Sequence, residues 1–167
     1  MISLVPNDLL HRCPLLLVLK RITSLKPVGA RGQQLVQVVQ YWQRMIEQHL
    51  RRLLDRVGEA GVPRILFLQN APHLVDAYAQ LPAEVLAADW RLDLGAVQQR
   101  YPHRSVQGNI DPAILLAGPD ATRSATEKLL RNVDKAGHIV NLGHGIFPTT
   151  PIDSVEALIQ TVQEESR

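Results

Sequence analysis

Gly143-His144-Gly145 stands just after the apolar run His138-Ile139-Val140-Asn141-Leu142 and just before Ile146-Phe147-Pro148. A histidine between two glycines, past the end of a strand, can do chemistry. The glycines let the backbone bend and a ligand come close, and the imidazole donates a hydrogen bond or carries charge near neutral pH. A turn whose histidine bonds a neighbouring loop accounts for the same residues. A second set is Asp89-Trp90-Arg91 with Asp93. Arg91 suits an acidic substrate and Asp89 could orient a polar group. The other reading is an ion pair at a strand end, with Asp93 capping the next helix. The third is Gly108-Asn109-Ile110-Asp111-Pro112, either a backbone pass close to a ligand or plain turn chemistry.

Alternating elements must position these sets. From Gln33 to Glu59 the residues Leu35, Val39, Trp42, Ile46, Leu50, Leu53 and Val57 recur at three-or-four spacing, which predicts a long amphipathic helix ended by Gly58, Gly61 and Pro63. Arg51, Arg52 and Arg56 read as its solvated face, and Glu47 to Arg51 is a favourable pair. Arg64 to Gln69 reads as a strand buried on both faces. Asn70 is then a helix cap, with Leu74, Ala77, Tyr78 and Leu81 on one face. Glu84 to Ala88 and Arg104 to Gln107 are two more strands, separated by a helix from Asp93 through Arg100. Pro119 to Ala136 is a helix with Ala121, Ala125, Leu129 and Val133 inward and Gly137 as its stop, and the fourth strand is His138 to Leu142. The last helix has Thr150 as N-cap, Pro151 at its first turn and Asp153 in a capping box, with Val155, Leu158, Ile159 and Val162 buried. Strands alternating with helices imply a parallel sheet, and right-handed crossovers bring all four strand C-termini to one face. Gln69-Asn70, Asp89 to Asp93, Gly108 to Asp111 and Gly143 to Gly145 gather there, where parallel α/β folds place their active sites.

Composition narrows the class. At 167 residues the chain can bury one sizeable core. Its 18 basic and 16 acidic residues leave a net charge of +2, too little to indicate nucleic acid, and there is no basic block. The single cysteine, Cys13, fits a reducing cytoplasm and excludes an internal disulfide. Leu15 to Leu19, between Pro14 and Lys20-Arg21, falls far short of the roughly 20 residues that span a bilayer, and no targeting segment is read. Residues 1 to 32 are broken by Pro6, Pro14, Pro27, Gly29 and Gly32 and form an N-terminal segment without assigned elements, except that Leu15 to Ile22 could be a short strand or helical turn. Nucleotide-binding glycine loops, the Gly-x-Ser-x-Gly elbow and metal-ligand histidine spacing are absent, so a nucleotide or zinc enzyme is poorly supported.

Asp89-Trp90-Arg91-Leu92-Asp93, Gln107-Gly108-Asn109-Ile110-Asp111-Pro112 and Asn141-Leu142-Gly143-His144-Gly145-Ile146, in this order and spacing, resemble the uroporphyrinogen decarboxylase family. The resemblance runs from about Tyr41 to the C-terminus and matches only the C-terminal part of that family. It implies a partial TIM (β/α)8 barrel, about four parallel βα units preceded by a long helix, with residues 33 to 167 as the barrel's C-terminal half. It further implies a cytoplasmic carboxy-lyase of haem and chlorophyll biosynthesis, usually a homodimer. That enzyme takes carbon dioxide from the four acetate side chains of uroporphyrinogen III to give coproporphyrinogen III, without metal or organic cofactor. His144 matches the family's active-site histidine near the substrate carboxylates, and Asp89, Arg91, Gly108, Asn109, Gly143 and Gly145 are the expected substrate-binding positions. The protonated pyrrole serves as electron sink, so the protein contributes electrostatic preorganisation rather than covalent catalysis.

The family's substrate-binding arginines and central aspartate belong to its N-terminal half, which has no counterpart here, and its serine- and tyrosine-bearing segments are not recognisable in residues 1 to 40. A full barrel takes about 250 residues, and half of one leaves two open sheet edges and an uncovered interior. The expectation is a truncated or split member, inactive alone or completing its barrel with another chain: a second copy or a missing N-terminal half. The alternatives are a non-catalytic fragment or dimerisation partner, and a relative of the zinc-dependent, cobalamin-linked methyltransferases. Against the last, the strand ends carry Asp89, Asn109 and His144, and no cysteine follows Cys13.

Overall fold

The computed structural model describes residues 39–166; the readings for residues 1–32, and for the long helix before residue 39, lie outside them. Helical backbone from residue 39 passes through a π-helical turn, Gln43–Glu47, into the α-helix Gln48–Gly58, and the whole is α1. Then come β1 (Ile65–Phe67), a 3-10 turn (Pro72–Leu74) running into α2 (Val75–Tyr78), β2 (Val85–Ala87), α3 (Leu94–Arg100) and β3 (Ser105–Ile110). Helices α4 (Pro112–Leu116) and α5 (Pro119–Asn132), strand β4 (His138–Leu142) and helix α6 (Ile152–Glu165) complete the chain. The four strands are all parallel, in the order β1-β2-β3-β4, as the alternation predicts. This is the partial α/β barrel expected from the sequence.

One core lies between α1 and the sheet. Trp42, Ile46, Leu50 and Leu54 form a ridge against Leu66, Leu68, Leu86, Ala88 and Val106. Here the expected stripe is corrected: Leu53 and Val57 are exposed and Leu54 is buried. The π-helical turn puts an extra residue into one turn, so the face that meets the sheet becomes the row of every fourth residue. Leu54→Ala is therefore expected to cost about 2–4 kcal/mol in urea unfolding and Leu53→Ala less than about 0.5 kcal/mol. Equal losses would refute the shifted ridge.

The opposite sheet face is bare at both edges. Ile65 (51%) and Phe67 (40%) on β1 and Ile139 (44%) on β4 are exposed. Phe67, Ala87, Gln107 and Ile139 form one row across the sheet. The expectation of a first strand buried on both faces is thus corrected. β1 is an edge, and its inner side has no cover among the described residues.

Other elements depart from their periodicity for local reasons. Asn70 is not a cap. It has φ +58 and turns the chain at the end of β1. The third strand runs on through Gly108 and Asn109 because both pair with β4, at Val140 and Asn141. Helix α5 stops at Asn132 rather than Ala136, since the Gln98 side chain takes both the N–H and the carbonyl of Asp134 (2.7 and 2.9 Å). Its most buried residues are Thr122, Thr126 and Leu130 instead of the alanine row. Each threonine hydroxyl donates to the carbonyl four residues back (2.9 and 2.8 Å), which satisfies it inside. These threonines belong to a close contact between α5 and α6, where α6 buries Ser154, Ala157 and Thr161 and leaves Ile159 exposed. Pro151, not Thr150, holds the N-cap position of α6, without a side-chain cap bond.

At the N-terminal ends of the strands, Arg64 binds three elements together. Its backbone N–H and Nε donate to Glu84 Oε2 (2.7 and 3.1 Å) and its Nη1 to the Leu54 carbonyl (2.9 Å). The Arg64 guanidinium, followed by its backbone N–H, holds the Glu84 carboxyl down to about 2, below its ordinary 4.5. A depressed folded pKa contributes stability that is present above the unfolded value and lost as pH falls toward the folded one. Glu84→Gln should lower the unfolding midpoint slightly at pH 7 and remove the part of the acid limb between pH 4.5 and 2. An unchanged acid limb in thermal melts would refute this linkage.

Candidate active site at the strand ends

The polar sets the sequence singles out meet at the C-terminal ends of the strands. Asp89, two residues past the end of β2, has a side chain with no solvent exposure. One carboxylate oxygen accepts from the Asn70 N–H (2.9 Å), the other from the Arg91 N–H (3.0 Å), and Arg91 Nη1 reaches both (2.8 and 2.9 Å). The same Nη1 donates to Asn70 Oδ1 (2.8 Å), and the guanidinium lies 4.1 Å from the centre of the Trp90 ring. Arg91 is thus fixed on both faces of its charge, by a carboxylate and by an aromatic ring, with the rest of its side chain at the surface.

Asn109, at the end of β3, donates from Nδ2 to the backbone carbonyls of Asp89 (3.1 Å) and Leu92 (2.6 Å), so it ties the β2 loop down. Gly108, beside it, has φ +127, and a β-carbon there would stand 2.9 Å from the Ala88 carbonyl oxygen. Only glycine lets β2 and β3 approach at this point. Asp93 caps α3 as expected, accepting from the Ala96 N–H (3.1 Å) and from Asn132 Nδ2 (2.9 Å). The Ala96 N–H and then Asn132 hold its carboxyl below the usual range.

Past β4, Gly143 packs against Trp90, and its N–H donates to the Ile110 carbonyl (2.7 Å). His144 follows, half-buried, with its ring edge-on to Phe147 at 5.9 Å. Its Nδ1 lies 2.9 Å from the Gly145 carbonyl. A carbonyl only accepts, so Nδ1 carries the proton and Nε2 is left to meet a ligand. Asp89, Arg91, Asn109 and Gly143 are therefore gathered around Trp90, with His144 and Gly145 continuing from Gly143 at the rim. Asp89 and Asn109 are engaged with the backbone of neighbouring loops. Arg91 and His144 present groups outward.

Sequence reasoning assigned no role to Trp90 and read Asn70 as a helix cap, whereas its side chain accepts from Arg91. An asparagine after a strand tolerates the left-handed backbone, which was a usable sign. Nothing local marks Trp90 as the centre of the cluster. His138 was also missed. Its Nε2 donates to the Gly108 carbonyl (2.6 Å), and burial lowers its pKa. Beside the cluster opens a cleft of about 770 Å3, lined by Trp90, Leu92, Asn109, Ile110, Ile114 and Leu129 among others. Among the described residues no three histidine, cysteine or acidic side chains stand close enough to hold one metal ion, and no helix is long and apolar enough to cross a membrane.

A run of parallel βα units that collects charged and glycine residues at its strand C-termini defines part of a (β/α)8-barrel protein with its ligand face at those ends. Residues 33–165 match the family model described as Uroporphyrinogen decarboxylase (URO-D). The uroporphyrinogen decarboxylase of Nocardia farcinica is 37% identical over 123 residues, 70% of this chain and 35% of that protein. Those of Carboxydothermus hydrogenoformans and Sorangium cellulosum are 35% and 37% identical over 156 and 155 residues, 87% and 86% of this chain and 45% and 44% of theirs. The chain belongs to the uroporphyrinogen decarboxylase family. It spans less than half the length of these relatives.

Proposed function

We propose that the chain carries the His144 side of an active site that decarboxylates the acetate side chains of uroporphyrinogen III to give coproporphyrinogen III, in cytoplasmic porphyrin biosynthesis. Residues 33–167 act as the C-terminal half of the barrel. The observation that carries the reading is the packing of the three family motifs into one cluster around Trp90, with Arg91 and His144 at its surface.

In this reading a pyrrole is first protonated at the ring α-carbon next to the one that bears the acetate, which leaves the acetate-bearing carbon conjugated to the resulting cation. The bond between the methylene and the carboxylate carbon breaks, its electrons enter the ring, and carbon dioxide leaves. The methylene then takes a proton to become methyl as the ring carbon gives one up. Arg91 and the protonated His144 imidazole, donating from Nε2, hold substrate carboxylates. Gly145, with nothing standing where a side chain would be, lets the macrocycle approach the backbone, whereas Gly108 and Gly143 bring the strand-end loops against Ala88 and Trp90 instead. Asp89 and Asn109 keep Arg91 and the loops in place. No cofactor takes part.

Incubating the purified full chain with uroporphyrinogen III, and following coproporphyrinogen by chromatography, tests this. His144→Ala should lower turnover roughly tenfold to a hundredfold, the worth of one hydrogen bond to a charged group. A folded chain that forms no product would overturn the activity and leave the second reading, a non-catalytic partner. That reading is favoured by one observation: Asp89 and Asn109 are already engaged with backbone, so of the named side chains only Arg91 and His144 remain to meet a substrate with four acetates.

A further inference from the structure

We propose that His138 is a positioning residue for the loop that faces substrate: by holding the Gly108 carbonyl it sets Asn109, and through Asn109 the segment that carries Trp90 and Arg91. The inference rests on the reading of Arg91 as a carboxylate-binding group and needs no contact between His138 and substrate.

His138 and His144 have opposite surroundings although six residues of one strand and its turn separate them. His144 stands at the rim. His138 is the first residue of β4, in register with Val106, and lies on the sheet face opposite Ile139. Its Nε2 is 2.6 Å from the Gly108 carbonyl oxygen on β3. A carbonyl only accepts, so Nε2 carries the proton. Nδ1 is then a bare acceptor, enclosed and without a hydrogen-bond partner among the described residues. An enclosed polar atom with no partner is a cost that an apolar ring of similar size would not carry. The bond at Nε2 offsets it. Burial also lowers the pKa, so the ring is neutral near neutral pH.

The carbonyls at the end of β3 are held one by one. The Ala88 N–H donates to that of Gln107 (2.8 Å) and the Gly143 N–H to that of Ile110 (2.7 Å). Between them the Gly108 carbonyl is held by a side chain, His138. On its other side Gly108 meets β2, where an added β-carbon would stand 2.9 Å from the Ala88 carbonyl oxygen. The peptide from Gly108 to Asn109 is thus clasped between β2 and β4, and this clasp aims the Asn109 side chain. That side chain donates to the carbonyls of Asp89 (3.1 Å) and Leu92 (2.6 Å), the two ends of the segment with Trp90 and Arg91 between them. Arg91 in turn lies 4.1 Å from the centre of the Trp90 ring. A bond on the covered side of β4 therefore reaches a surface cation by way of β3 and the loop after β2.

The chain has two tryptophans, so two indole N–H resonances report separately. Trp90 senses the Arg91 segment, and Trp42, fully buried between α1 and the sheet, is the reference. His138→Phe keeps a ring and removes the donor. It should move the Trp90 resonance in a proton–nitrogen correlation spectrum and leave that of Trp42 in place. His138→Gln restores an N–H near the position of Nε2 and should bring Trp90 back toward its native resonance. Where the full chain turns over uroporphyrinogen III, His138→Phe should raise KM roughly tenfold with kcat little changed, because Arg91 grips a carboxylate equally before and during bond breaking. A Trp90 resonance that does not move, equal movement of both tryptophans, a Gln variant that behaves like the Phe variant, or an unchanged KM would each overturn the proposal. If the Phe variant does not fold, the native chain decides. Nitrogen spectra of its His138 ring should show the proton on Nε2, and a proton on Nδ1 instead would overturn the proposal. A native chain without turnover would overturn the decarboxylation and leave the tryptophan test to decide the role of His138.

Discussion

Asp89→Ala is expected to cost the fold about 3–4 kcal/mol, seen as a lower urea midpoint at pH 7. The carboxylate is fully enclosed and accepts four hydrogen bonds, from Asn70 N–H, Arg91 N–H and Arg91 Nη1 to each oxygen. Removing it strands two backbone N–H groups and the inner side of a guanidinium. Stranded buried donors cost about 1–3 kcal/mol each, and breaking a buried pair about 3–5 kcal/mol. Arg91 is 42% exposed and can rehydrate, which places the sum toward the lower end. Asp89→Asn keeps the shape and one acceptor, so it should cost about half as much. Because Arg91 is held on Trp90 by this carboxylate, the indole fluorescence should shift in both variants. A loss under about 1 kcal/mol in Asp89→Ala would mean that water replaces the carboxylate and that it does not organise the strand ends.

The second large effect belongs to Gly143→Ala. A β-carbon at Gly143 would lie 2.4 Å from the Trp90 nitrogen, 2.6 Å from its Cβ and 2.8 Å from its Cα. These atoms are backbone or one bond from it, so no rotamer change relieves the contact. Either the β2 loop or the turn after β4 must move, at about 3 kcal/mol, the upper part of the overpacking range. His144 is the next residue, so the displacement reaches the group proposed to meet substrate. Gly145→Ala is the matched control, because nothing stands within 4 Å of its added carbon. It should change stability by less than about 0.5 kcal/mol. Similar behaviour of the two variants in urea unfolding would show that the Gly143–Trp90 contact does not hold the site.

The site was only partly legible in the sequence. The strand ends could be found because a strand followed by turn residues and a cap leaves local marks. Asp93 caps α3 and His138–Leu142 is a strand, both as the spacing predicts. The direction of Asp89 could not be found that way. Its partners come from Asn70 and Arg91, and Asn70 is on another loop, 19 residues earlier. Likewise the glycines of the histidine turn look equivalent in sequence. Trp90, more than fifty positions away, makes one indispensable and leaves the other free.

The order of elements, their parallel pairing, the face on which the polar sets gather and the family itself were all determined by the sequence, because periodicity, caps and motif spacing are local properties of the chain. Tertiary structure alone decided which side of each element is inside. Periodicity defines a stripe on a helix but not the surface that will cover it. The π-helical turn moved burial from Leu53 to Leu54. Threonines that bond their own helix could be buried in α5 and α6, where the rows of Ala121 and Ala125 and of Val155 and Ile159 were expected. The inner face of β1, apolar in sequence, stays open at Ile65 and Phe67, since burial depends on a neighbour that must arrive from beyond the strand itself.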